Sequence, residues 1–160
     1  MNVRIAWFSR DGHTEKIVTE LARVLDVELV RIEPVKEPGA GIAIEGMKAL
    51  LSMTTPIKTC RTDCAGIDVL IIATPVWSGK VPPYVNEYLV SVSGGQGKPF
   101  HVITCMRSQG SEGAVALVKE HLEKKGMIYV SSAAVTEHEI GNGVYRATIE
   151  QFASGIRRNN

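Results

Sequence analysis

Five consecutive apolar residues, Val69 to Ala73, sit inside the stretch Asp68–Thr74 (DVLIIAT) and run straight into a proline-rich loop. A strand with no polar face must be covered on both sides, which places it near the centre of a parallel sheet. Four further short runs rich in β-branched residues accompany it: Val3–Phe8 (VRIAWF), Val27–Ile32 (VELVRI), Pro99–Cys105 (PFHVITC) and Met127–Val135 (MIYVSSAAV). Glu28 and Arg31 give the second of these the polarity of an edge strand.

Between the strands, apolar residues recur at helical spacing. The stripes are Ile17, Val18, Leu21, Val24 and Leu25; Met47, Leu50 and Leu51 within Ile42–Met53; Val85, Tyr88, Leu89 and Val92; Ala114, Leu117, Val118, His121 and Leu122; and Ile149, Phe152, Ala153 and Ile156. Pro34, Pro38, Gly39 and Gly41 mark a loop, and residues 54–66 show no regular pattern. Gly141 and Gly143 precede the last helix and leave His138 in a polar turn with Glu137 and Glu139. Five strands alternating with five helices predict one α/β domain over residues 1–160, a three-layer sandwich with helices on both faces of a parallel sheet.

Composition narrows the function classes. Lys and Arg total 18 against 17 Asp and Glu, so a net charge of +1 supplies no pull toward nucleic acid or an anionic membrane. No apolar run approaches the roughly 18 residues of a membrane span, and the first residues lack a signal-peptide pattern, so a cytoplasmic protein is expected. Cys60, Cys64 and Cys105 are too few for a disulfide framework, and the C-x-x-x-C spacing of the first two matches neither a redox nor a zinc motif, so they read as bystander thiols.

In a parallel α/β sheet, ligands bind beyond the carboxyl ends of the strands, where strand order reverses. Three loops therefore carry the chemistry. The first, Ser9-Arg10-Asp11-Gly12-His13-Thr14, opens into a helix, and its hydroxyls, its glycine and the helix's free amides suit a phosphate. It has neither the Lys of a P-loop nor a G-x-G-x-x-G pattern. The plainer reading is a helix cap with Thr14 as N-cap. His13 falls where it can donate to phosphate or face solvent. The second loop, Thr74-Pro75-Val76-Trp77-Ser78-Gly79 and on to Pro82 and Pro83, holds a tryptophan between prolines; its ring either stacks on a flat ligand or folds back over the core edge. Trp7, inside the first strand, reads as core. The third loop, Thr104-Cys105-Met106-Arg107-Ser108-Gln109-Gly110, offers backbone amides and a glycine.

These residues resemble the flavodoxins and flavodoxin-like flavoproteins across the whole chain. Ser9, Gly12 and Thr14 match that family's phosphate loop, and Thr74, Pro75, Val76, Trp77, Pro82 and Pro83 match its second loop. The resemblance implies a sheet of order 2-1-3-4-5, an FMN phosphate in the first loop, and an isoalloxazine ring between the second and third loops with Trp77 as the flanking aromatic. The R-D-G-x-T sequence is also similar to the loop of flavodoxin-like protoporphyrinogen oxidases. Asp11 stands where flavodoxins usually have Thr, which puts a carboxylate near the phosphate unless Arg10 or His13 offsets it. The third loop lacks a second aromatic, and the chain is neutral where many flavodoxins are acidic.

The resemblance implies an FMN-dependent electron carrier serving a redox partner protein. The alternative is an FMN-dependent NAD(P)H oxidoreductase acting on a quinone or similar acceptor. That would need an open ring face and a pocket, often at a homodimer interface, for which Pro34–Met53 can supply a wall. A third reading is a flavin-free binding or regulatory module, for which Asp11 is the distinguishing residue.

Overall fold

The computed structural model describes residues 1–36 and 42–158, so Pro38, Gly39 and Gly41 lie outside the described residues. Five strands, β1 (Val3–Trp7), β2 (Val27–Arg31), β3 (Val69–Pro75), β4 (Pro99–Met106) and β5 (Ile128–Thr136), form one parallel sheet in the order 2-1-3-4-5. The apolar run of β3 lies at its centre and β2 at an edge, as their side chains require.

The period-two alternation of strand side chains divides the apolar residues between two cores. Ala6, Leu70, Ile72, Phe100 and Val102 face one way, toward Tyr84, Val85, Tyr88 and Leu89 of α3 (Pro83–Ser91) and Ala114, Val118 and Leu122 of α4 (Ser111–Lys124). Val3, Ile5, Trp7, Val69, Ile71, Ala73 and Ile103 face the other, toward Ile17, Val18 and Leu21 of α1 (His13–Val24) and Ile149, Phe152 and Ile156 of α6 (Tyr145–Arg158). Trp7 is thus a core residue.

Two local expectations need correction. The helices among the described residues number six, not five: residues placed in a polar turn form α5 (Glu137–Asn142), and α2 (Ile42–Leu50) ends before Met53. Thr136 begins α5 by a reciprocal capping box, its hydroxyl accepting from the Glu139 N–H at 3.2 Å while its own N–H donates to the Glu139 carboxylate at 2.7 Å. Those bonds satisfy donors that would otherwise be orphaned at a helix start, which is why two glycines nearby do not leave the segment as a turn.

His101 on β4 is fully buried, with Nδ1 2.8 Å from the Ser131 hydroxyl and its ring edge-on to Phe152. Burial disfavours the imidazolium and lowers its pKa from 6.5 to about 4. Because the folded pKa lies below the unfolded one, the contribution is complete above pH 6.5 and is lost as pH falls toward 4. Urea unfolding should therefore show about 2 kcal/mol less stability at pH 5 than at pH 7 from this residue. His101→Gln should remove that increment, and an unchanged pH slope in the variant would refute the assignment.

Candidate functional site

Parallel register brings the carboxyl ends of β1, β3 and β4 together: Trp7 lies beside Ala73, and Pro75 beside Cys105. Beyond them opens a cavity of about 720 Å³, within the range of cofactor sites. The first loop lines it with Ser9, Arg10, Asp11, His13 and Thr14, the second with Pro75, Val76, Trp77 and Ser78, and the third with Cys105 and Arg107. The other residues singled out in these loops, Gly12, Thr74, Gly79, Thr104, Met106 and Gly110, do not line it. Thr74 and Thr104 are buried, and their hydroxyls bond the carbonyls of Pro75 and Ala133. Gly110 instead lets the third loop touch the second: a Cβ there would lie 3.2 Å from the Gly79 Cα and 3.3 Å from a Val76 methyl.

The first loop is shaped for an anion. Gly12, at φ 82°, is the N-cap of α1 and gives it no side-chain cap, while Thr14 lies buried within the first turn, so the Thr14 cap is not made. First-turn amides have no intrahelical acceptor. Beside them the Ser9 hydroxyl is buried with no hydrogen-bond partner. A buried donor without an acceptor costs about 1–3 kcal/mol, and a phosphate oxygen would remove that cost. The residues therefore fit a phosphate-bearing cofactor.

Neither expected offset to Asp11 is made. The Arg10 guanidinium lies over the Trp77 ring, 5.6 Å from its centroid, and His13 Nδ1 faces the Glu137 carboxylate at 4.0 Å. Asp11 is exposed and has no ion pair among the described residues.

The second loop holds Trp77 in a tight turn. Trp77 and Lys80 exchange both backbone hydrogen bonds at 2.9 Å, and the central residues, Ser78 and Gly79, have φ of 50° and 72°. Positive φ at both positions is a type I′ turn, which explains the glycine. Trp77 is half-buried: its ring lines the cavity and also meets Phe8 at 5.7 Å and Tyr84 at 6.4 Å, edge-on in both cases. The ring therefore packs over the core edge and at the same time borders the cavity.

Four residues of α2, Ala43, Gly46, Met47 and Leu50, complete the wall. Met47 and Leu50 are 63% and 57% exposed, so they bring apolar surface to the cavity without belonging to a core. Buried polar contacts hold this helix in place. Glu45 accepts a hydrogen bond from the Tyr84 hydroxyl at 3.1 Å and another from Lys48, also at 3.1 Å. Asn86 donates to the carbonyls of Ser52 and Met53 just past the helix end. Tyr84→Phe leaves Glu45 one donor short in a buried site and should cost about 1–2 kcal/mol of stability. A denaturation midpoint equal to that of the parent would show that the bond contributes nothing.

At the cavity floor, burial pushes the Cys105 thiol up to about 12, with the Glu137 and Asp11 carboxylates adding to the rise. It is held as a neutral thiol, unsuited to nucleophilic work.

The family model for NADPH-dependent FMN reductases matches residues 7–141. The chain belongs to that family. No curated protein matches the sequence. Among solved structures, a flavoprotein in complex with FMN from Lactobacillus acidophilus NCFM superposes with a TM-score of 0.73 at 18% identity, covering 88% of this chain and 97% of its own. Oxidised flavodoxin 2 from Bacillus cereus gives 0.66 at 18% identity over 100% of both chains. At such identity these neighbours establish the fold, which is flavodoxin-like.

As a member of the FMN reductase family the chain is a flavoprotein, and FMN is its family's cofactor. Glu137, Ala43 and Gly46 also line the cavity and were not among the residues singled out from the sequence; for Glu137 a signal existed. The signal was the T-x-x-E spacing of Thr136 and Glu139, which marks a helix start at the carboxyl end of the last strand and puts Glu137 at its first position.

Proposed function

We propose that this chain is an FMN-dependent NAD(P)H oxidoreductase that passes electrons to a small flat acceptor such as a quinone. The observation that carries this reading is the cavity itself, which joins a phosphate-type loop with a buried, unpartnered Ser9 hydroxyl to Trp77 and an exposed apolar wall on α2. Family membership supports a nicotinamide nucleotide as reductant. Bound FMN supplies the hydride-accepting chemistry. The chain's own residues bind and shield: Ser9 and the α1 amides take the phosphate, Trp77 offers a braced aromatic face, and Met47 and Leu50 keep water from the acceptor's side. Cys105, held neutral, adds no charge to the floor.

An electron carrier with a protein partner would use the same FMN site. It stands second because a net charge of +1 gives such a partner little to dock on electrostatically. Adding FMN should quench tryptophan fluorescence saturably, and the loaded protein should then oxidise NADPH or NADH in the presence of a quinone. Saturable binding without nicotinamide oxidation would favour the carrier, and absence of any quenching would remove both.

A further inference from the structure

Two carboxylates stand at the phosphate end of the site. We propose that Asp11 and Glu137 are specificity-determining residues that keep the phosphate's contribution to flavin binding small, so that the site takes riboflavin and FMN with similar affinity and exchanges its flavin readily. The inference rests on the flavin reading of this cavity.

Both residues line the cavity, Asp11 from the first loop and Glu137 from the first position of α5. His13 is the first residue of α1, and its ring nitrogen is 4.0 Å from the Glu137 carboxylate, so Glu137 reaches across to the phosphate loop from the far edge of the sheet. Three groups of opposite sign also line the cavity, and none of them is paired with Asp11 among the described residues. Arg10 lies on the Trp77 ring at 5.6 Å, Arg107 belongs to the third loop, and His13 faces Glu137 and is cationic only when protonated.

The attraction available to a phosphate is a helix N-terminus, equivalent to about half a positive charge, together with the Ser9 and Thr14 hydroxyls. Against it stand two full negative charges, both within a Debye length of the loop. Arg10 and Arg107 formally cancel Asp11 and Glu137, which leaves the cavity with no net positive charge for a dianion. The hydroxyls and amides can bind phosphate oxygens, and the carboxylates take back most of that gain.

Dissociation constants for FMN and riboflavin, measured by tryptophan quenching, test this directly. In the parent the two flavins should differ by less than about tenfold. Asp11→Asn and Glu137→Gln should each tighten FMN by about tenfold while leaving riboflavin within about twofold, the riboflavin value also reporting that the variant is folded. A parent that prefers FMN by more than about tenfold, or variants whose FMN affinity does not move, would overturn the inference and leave the flavin reading standing. Failure of both flavins to bind the parent would overturn the flavin reading itself, and this inference with it.

Discussion

Gly113→Ala is expected to destabilise the protein by more than about 3 kcal/mol, although helix propensity alone predicts a gain of up to about 1 kcal/mol for the same change. Gly113 lies in the first turn of α4, and a Cβ there would lie well inside van der Waals contact distance of the Gly79 carbonyl oxygen. That oxygen belongs to the backbone of the type I′ turn carrying Trp77, so no side-chain rotation relieves the clash. Either α4 retreats from the sheet, or the turn is displaced and the Trp77 wall moves with it. Gly155→Ala, in α6 with nothing within 4 Å of the added methyl, is the control and should raise stability by up to about 1 kcal/mol. Urea denaturation of both variants measures the contrast. Equal midpoints would show that α4 and the turn do not press on each other.

Trp77→Ala should act on binding and on folding together. Loss of aromatic area at the cavity should weaken FMN by about 1–2 kcal/mol, roughly tenfold in dissociation constant. Loss of the edge contacts to Phe8 and Tyr84 should cost about 2 kcal/mol of stability, less than a full core truncation because the ring is half-buried. Trp77→Phe should recover most of both. Flavin absorbance titration suits the measurement, since Trp7 stays in the core and would still fluoresce. An unchanged FMN affinity in the alanine variant would show that Trp77 does not cover the ring.

Much of the fold was legible because its determinants are local. A five-residue apolar run requires burial on both faces, and β3 is central; Glu28 and Arg31 need solvent, and β2 is an edge strand, where Arg31 covers the Trp7 ring at 5.1 Å. The three cavity-lining loops were legible for a similar reason, since each follows a strand whose carboxyl end must open toward the same side of a parallel sheet. The apolar pattern of α2 was also visible, and its Met47 and Leu50 do line the cavity. Its attachment through Glu45 to Tyr84 was not, because a buried carboxylate on an otherwise apolar helix shows its purpose only when the partner hydroxyl is brought to it from 39 residues away.

The amino-acid order by itself determined which segments become strands and helices, which strand is central, and which loop opens into the first helix with a glycine at its N-cap, because periodicity, turn chemistry and glycine placement act over a few residues. Only the tertiary structure decided how charge is distributed around that loop. Arg10 lies on Trp77 rather than beside Asp11, and Glu137 arrives at His13 from the opposite edge of the sheet. Electrostatic energy depends on distance through space, and residues 13 and 137 become neighbours only when the sheet has formed.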